Sequence, residues 1–212
     1  IEEGDFAMIM GFPGVTERFL SSYGLIYKRD FFNPAVVDLL KVKIDIMLEE
    51  MHKDDALRLA VSDDYASLTN GHKLFKGERL TLQRTDAIQQ KADYERRFTE
   101  WVNSDSERVE KYGEVLTNLK DSYEKFGPIT TDMIYLSLGL LQASEKVMVV
   151  QDFMALHKLL EDSKKNQELI SGIAEEKLEV IDEMYEAYYT HLDKKIFKAM
   201  LMRYIKDIPA EK

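Results

Sequence analysis

Glu49 and His52 are the residues of this sequence whose types and spacing come closest to a reactive centre. Because they are three positions apart, a helix places the carboxylate and the imidazole on one face, as in dimetal bundles built on Glu-x-x-His. Those bundles need the motif twice, with two further inward glutamates, and no second Glu-x-x-His occurs here. His52 also precedes Lys53 and Asp54. We interpret the pair as a solvated helix end, with a dimetal bundle as an alternative, and predict neither a metal nor a cofactor.

The rest of the sequence contains no motif of a self-contained active site. There is no Gly-x-Ser-x-Gly or Gly-x-Ser-Gly nucleophile motif, no phosphate-binding loop and no calcium loop. Cysteine is absent, which excludes disulfides, thiolate zinc sites and a cysteine nucleophile. We therefore predict no catalytic residue within these 212 residues.

Other polar and aromatic residues have ordinary interpretations. His157 and His191 lie in amphipathic segments, where a surface or half-buried imidazole is the usual case. Asp63 and Asp64 form a short acidic pair that we expect on a solvated face. Three tyrosines on one turn either line a groove or form a packed helix–helix seam: Tyr185, Tyr188 and Tyr189.

The charge balance excludes two classes of partner. A net charge of -10 argues against a nucleic-acid groove, which needs clustered Lys and Arg to neutralise phosphates. It also argues against binding to an anionic membrane surface. No apolar stretch approaches the eighteen or so residues of a membrane span. We therefore predict neither a nucleic acid nor a membrane as a partner.

Composition and periodicity predict an elongated all-α, multi-helix bundle. With 45% apolar residues, four prolines and ten glycines, the chain has enough apolar surface for a core and few helix breakers. Thr16 is a candidate cap for a first helix, and Asn33-Pro34 is a stronger helix start. The helix after Pro34 has an apolar stripe with helical spacing: Val36, Leu40, Ile44, Met47 and Met51.

Glycine-containing pairs predict the breaks between the later helices. Asn70-Gly71 indicates a turn, followed by an irregular stretch over 71–80. Gly127-Pro128 is expected to end another helix. Two long helical segments are then predicted, over about 131–161 and 165–206.

The segment Phe6–Met10 differs from everything after it, because it reads as a short β-strand. Its residues are apolar on both pleat faces, which is the pattern of a strand covered on both sides. A lone strand cannot satisfy its ladder hydrogen bonds. The sequence also begins at Ile1 rather than Met. We therefore expect a fragment of a larger protein that starts on the last strand of another domain, and we expect helices or a neighbouring chain to cover Phe6, Met8 and Ile9.

The order of residues along the first half resembles one known family, the bacterial dipeptidyl peptidases 7 and 11, which are serine exopeptidases. The match is dense over residues 4 to 113, thin from about 128 to 180, and returns near the C terminus. No single motif in it is specific, and its weight comes from the ordered set. The residues that carry it are Gly4-Asp5-Phe6, Gly11-Phe12-Pro13-Gly14-x-Thr16-x-Arg18, Ser22-Tyr23, Asn33-Pro34, Met51-x-x-Asp54, Arg58, Tyr65-Ala66-Ser67-x-x-Asn70, Lys73, Gly77, Lys111-Tyr112-Gly113, Asp193-Lys194-Lys195-x-Phe197, Tyr204 and Ile208-Pro209-Ala210.

The resemblance implies a division of the chain and a location for the chemistry. In that family a chymotrypsin-like double β-barrel carries a His-Asp-Ser triad, and a large helical domain is inserted between the Asp and the Ser. Residues 1–14 would then be a strand stub and junction with the catalytic barrel, and residues 15–212 the helical cap domain. The triad would lie outside this chain, which is expected to be inactive by itself.

Asn70 is the one site residue that the resemblance carries over. The Tyr-Ala-Ser-x-x-Asn segment of the family's cap places an Asn near the N-terminal end of the substrate. An amide can accept from an ammonium group and donate to a carbonyl, as recognition of a peptide's end requires. The family usually has Trp two residues after this Asn, whereas here the residue is His72. A plain turn at Asn70-Gly71 is the alternative interpretation.

The leading functional hypothesis is therefore the helical cap of a periplasmic or secreted serine dipeptidyl peptidase. It would cover the active-site cleft and help to restrict cleavage to dipeptides from free N-termini. Its partners would be the peptide substrate and its own catalytic barrel, with a homodimer also compatible with the helical surface. The alternative is a non-catalytic helical interaction module.

Overall fold

The computed structural model describes residues 2–8, 10–11, 14–161, 171–176, 178 and 189–209. This part of the chain is helical and contains no strand, which confirms the predicted all-α class. The helices are α1 (Ser22–Tyr27), α2 (Asn33–Met51), α3 (Asp55–Ala60), α4 (Ser62–Arg84), α5 (Ala87–Asn103), α6 (Ser106–Tyr112), α7 (Val115–Leu136), α8 (Glu145–Glu161) and α9 (Thr190–Asp207), with π-helical turns at Lys28–Phe32 and Ser137–Leu141. Residues 171–176 and 178 are also helical.

Helix α2 is the centre of the core. All five residues of its predicted apolar stripe are buried, and Leu39 beside them is fully inaccessible to solvent. The helix packs against α4, α7 and α9 and against the π turn at Ser137–Leu141. Residues of α9 close the core from the other side: Leu192, Ile196 and Met200.

The predicted strand at Phe6–Met10 is not formed in the described residues. Phe6 and Met10 are 89% and 82% exposed, and Met8 is 65% exposed, so no helix covers them. Ile9 lies outside the described residues. The physical reason is that a strand needs an adjacent strand to pair its backbone groups, and the described chain has none.

The first helices begin differently from their predicted caps. Thr16 does not cap a helix; α1 starts at Ser22, and the Ser21 hydroxyl accepts from the Gly24 amide at 3.2 Å. α2 does begin at Asn33, but Asn33 is itself helical and fully buried, with its Nδ2 donating to Glu78 3.0 Å away. The π turn just before Pro34 widens the helix where the proline ring would otherwise meet a carbonyl of the preceding turn.

Tertiary packing overrides two predicted breaks. α4 runs unbroken through Asn70-Gly71 and through the stretch predicted to be irregular, since it packs along α2. α7 likewise continues through Pro128. A Cβ on Gly127 would come within 2.9 Å of the Phe31 ring, so this glycine allows α7 to pass directly over the first π turn.

The two long C-terminal segments are shorter than predicted where the structure describes them. A break at residues 142–144 separates the second π turn from α8, and most of the predicted 165–206 segment before α9 lies outside the described residues. No single described helix is long and apolar enough to span a membrane. One pair passes that test jointly, Ser106–Leu141 with Glu145–Gln151, but its axis turns by 101° at the break.

Candidate functional site

Asn70 lies on the exposed face of α4 rather than in a turn, so the plain-turn interpretation is wrong. Ser67, one helical turn earlier, lines a cleft between α4 and its neighbours. The following residue, Gly71, faces α2, where an added Cβ would lie 3.6 Å from Leu40. Within the described part of the chain, the Asn70 amide makes no hydrogen bond. It is therefore available to a ligand.

His72 is half-buried on the same helix. Partial burial, together with Lys76 and Lys41, lowers the pKa of its imidazole below the ordinary value. The ring is therefore predominantly neutral at neutral pH. The His72 imidazole is therefore a polar but uncharged group on this face of α4.

The cleft beside Ser67 has a volume of about 400 Å³ and is walled by α2, α4, α9 and the start of α8. Its apolar wall includes Met47, Leu68 and Ile196. The charged residues of the described chain that line it are one lysine and three carboxylates: Lys43, Asp64, Glu145 and Asp193. Asp64 therefore lies at the cleft rather than on a purely solvated face, and Tyr189 lines it too. Tyr185 and Tyr188 lie outside the described residues.

Burial dominates the electrostatics of this cleft. It lowers the pKa of Lys43 against the opposing effect of the carboxylates. It also raises the pKa of Glu145 above 4.5, with Asp193 and Asp64 adding to the increase. Each shift favours the neutral form of its group, as expected for charges withdrawn from water.

Glu49 and His52 do not form a metal site in this fold. The Glu49 carboxylate pairs with Lys53 at 2.6 Å and with Lys195 of α9 at 2.9 Å. His52 is exposed at the C-terminal end of α2. In the described residues, no three His, Asp or Glu side chains converge as metal ligands.

Glu50 is the charged residue that sequence reasoning missed in this region. It is buried, and its carboxylate receives Lys195 at 2.8 Å and Lys53 at 2.9 Å, with His191 3.5 Å away. These contacts join α2 to α9. The sequence offered one signal for this site, because Glu50 interrupts the apolar side of α2 three residues before Lys53. It gave no signal for Lys195, which is 145 positions away.

We expect the Glu50 contacts to stabilise the fold only while Glu50 is ionised. Hydrogen bonds from Lys195 and Lys53 lower the pKa of Glu50 from 4.5 to about 2. A depressed pKa means that this stability is fully present above 4.5 and is lost as pH falls toward 2. Urea unfolding of the native chain and of Glu50→Gln should therefore show the largest difference in unfolding free energy above pH 4.5, shrinking across that window.

Glu110→Gln is the control for this experiment, since Glu110 is exposed on α6. The difference in unfolding free energy between Glu110→Gln and the native chain should stay small at every pH. A Glu50→Gln difference that does not change between these pH values would contradict the assignment.

The fold and its sites together define an all-helical domain with a half-buried charged cleft and an exposed asparagine, and with no nucleophile–base pair in its sequence motifs. The peptidase S46 family model matches residues 1–212. The chain therefore belongs to the peptidase S46 family.

Curated relatives support this membership at the level of sequence. The chain is 32% identical over 208 residues to dipeptidyl-peptidase 7 of Porphyromonas gingivalis, covering 98% of this chain and 28% of that protein. It is 32% identical to dipeptidyl-peptidase 7 of Capnocytophaga gingivalis, and 23% identical to an Asp/Glu-specific dipeptidyl-peptidase of the same organism. The chain thus spans less than a third of the length of the relatives it matches.

Solved structures agree at the level of fold. Crystal structures of Porphyromonas endodontalis DPP11, alone and with the dipeptide Arg-Glu, superpose with TM-scores of 0.67 and 0.66. They share 22% and 20% sequence identity, covering 95% of this chain and 28% of theirs. The all-α fold is therefore that of one helical part of a larger peptidase chain.

Proposed function

We propose that this chain is the helical cap domain of a serine dipeptidyl peptidase. In this role it covers the active-site cleft of the catalytic barrel and helps to restrict cleavage to dipeptides at free N-termini. Residues 1–14 form the junction with the barrel, and residues 15–212 form the cap. The proposed parent acts in the periplasm or at the cell surface.

The observation that carries the proposal is that nearly the whole chain aligns with a part of each dipeptidyl peptidase relative. That part is 28% of a dipeptidyl-peptidase 7 by sequence and 28% of DPP11 by structure. The remainder of the parent is large enough to hold the triad. The present chain contributes recognition and access control, while the chemistry belongs to that remainder.

The exposed N-terminal segment supports the proposed junction. Phe6, Met8 and Met10 alternate along the chain and are all exposed. Alternate residues of a strand share one face of a sheet. Pairing of this segment with the barrel would both satisfy its backbone and bury these three side chains.

Asn70 supports the proposed role in recognition. Its amide carries both acceptor and donor groups and projects from the rigid helix α4, which is anchored along α2. A site held on a regular helix positions a ligand more accurately than one on a loop. We assign Asn70 to the N-terminal end of the bound peptide.

The full-length parent should release dipeptides from peptides with free N-termini and fail on the same peptides after N-acetylation. Acetylation removes the ammonium charge that the site recognises, and the cap denies the cleft to internal bonds. Paired substrates that differ only in the acetyl group, followed by mass spectrometry, test this directly. Cleavage of the acetylated peptide at internal bonds would overturn the proposed function.

An exposed apolar face on α7 favours a second candidate, a helical interaction module, which could also form a homodimer. Phe126, Ile129 and Met133 follow one another at spacings of three and four and are about half exposed. A full-length parent that lacks peptidase activity but forms a stable complex through this face would favour the module over the cap.

A further inference from the structure

The chain bends sharply where α8 begins. Between the segment that ends with the second π turn and the first turns of α8, the helix axis turns by 101°. The elbow is formed by residues 142–144. Asp193 of α9 holds it from the opposite side, accepting from the Ser144 hydroxyl at 2.7 Å and from the Glu145 amide at 2.9 Å. The first turn of α8 is thus docked on α9 through one carboxylate.

The docked elbow encloses an excess of negative charge. Glu145 of α8, Asp64 of α4 and Asp193 of α9 all line the cleft, together with Lys43 of α2 and the phenol of Tyr189. Among the described residues that line the cleft, Lys43 is the only cation. The Glu145 and Asp64 carboxylates make neither a hydrogen bond nor an ion pair with the described residues. When Glu145 is ionised, it therefore faces two like charges across a half-buried space.

Beyond its first turn, α8 is weakly covered by the rest of the described chain. Met148, Val150 and Met154 are all substantially exposed. At its start, α8 is held by the elbow, by the contact with the Asp193 carboxylate and by Gln151, whose side-chain amide donates to the Leu141 carbonyl at 2.9 Å. The Glu145 backbone amide donates a hydrogen bond to the Asp193 carboxylate, and the Glu145 side chain belongs to the same residue. A change in the charge of that side chain therefore acts directly on the contact between α8 and α9.

We propose that the elbow is a proton-controlled hinge, in which uptake of one proton by Glu145 tightens the docking of α8 against α9 and its release loosens it. The inference does not depend on the proposed peptidase role. The direction follows from the raised pKa of Glu145, caused first by burial and then by Asp193 and Asp64. A group that holds its proton more tightly when docked stabilises the docked state as pH falls, and opposes it as pH rises.

Hydrogen exchange of two backbone amides tests the hinge in the 212-residue chain. The Glu145 amide bonds Asp193, and the Met148 amide bonds the Ser144 carbonyl at 3.1 Å. After correction for intrinsic exchange, their protection factors should fall as pH rises above 4.5, by at most about tenfold per pH unit, the limit for one proton. The Leu39 amide in the core should not follow this trend.

Two substitutions separate the hinge from a general effect of pH. In Glu145→Gln the protection of both amides should be high and independent of pH, whereas Glu110→Gln should behave as the native chain. Asp64→Asn removes one repelling charge, so the same fall should be smaller and should end at lower pH. Protection that is independent of pH in the native chain, or an unchanged pH profile in Glu145→Gln, would overturn the proposal.

Discussion

Replacing Leu39 with alanine should lower the free energy of unfolding by about 3 kcal/mol, within the range of 2–5 kcal/mol for buried leucines. Leu39 is fully buried at the centre of α2. Backbone rather than flexible side chains surrounds part of it, since a Cβ on Gly139 would lie 3.5 Å from both Leu39 methyl groups. A helix and a π turn cannot collapse into the vacated space, so a cavity would remain.

Urea unfolding followed by circular dichroism measures this effect. Leu39→Met keeps most of the volume and should cost less than about 1.5 kcal/mol. Leu74→Ala, at an exposed position of α4, should change stability by no more than about 0.5 kcal/mol. Equal losses at Leu39 and Leu74 would show that α2 is not the centre of the core.

Replacing Asn70 with alanine in the full-length parent should lower kcat/KM for dipeptide release by about 10- to 100-fold. The estimate follows from the proposed contact with the substrate ammonium, because a hydrogen bond to a charged group contributes about 1.5–3 kcal/mol. Each 1.4 kcal/mol corresponds to a factor of ten. Asn70 is exposed, so the loss should leave the stability of the fold nearly unchanged.

The matched control for this prediction is Asn118→Ala, which removes another exposed amide, on α7. It should leave kcat/KM unchanged. Thermal unfolding of both variants should match the native protein. If Asn70→Ala retains full activity on free N-termini, Asn70 has no part in recognising the substrate and the proposed cap acts by exclusion alone.

Local sequence patterns predicted those helices that are defined by the spacing of their own residues, without contacts to distant parts of the chain. The stripe from Val36 to Met51 needs only its own spacing to define a buried face, and all five of its members are buried. Asp54, for which no capping role was predicted, caps α3 by accepting from the Ala56 and Leu57 amides. Such features depend on residues a few positions apart, which is the range over which periodicity and capping operate.

Glycine and proline gave wrong predictions of helix ends wherever packing against a neighbouring helix stabilised the continuous helix. Gly71 remains helical because α4 packs along α2, and Pro128 is tolerated within the long packed helix α7. Relative to alanine, a glycine in the interior of a helix costs about 1 kcal/mol and a proline about 3 kcal/mol. Burial of a whole helix face outweighs them. The strand at Phe6–Met10 failed for the opposite reason, since its favourable pattern lacked a partner.

The sequence by itself determined the all-α class, the central helix α2, the absence of a nucleophile motif and the resemblance that identified the family. Only the tertiary structure decided that Asn70 stands on an exposed helix face and that Lys43, Asp64, Glu145 and Asp193 share one cleft. Those four residues span 150 positions of sequence. Helical periodicity relates residues within one helix, whereas the contacts between α2, α4, α8 and α9 depend on how complete helix faces pack together.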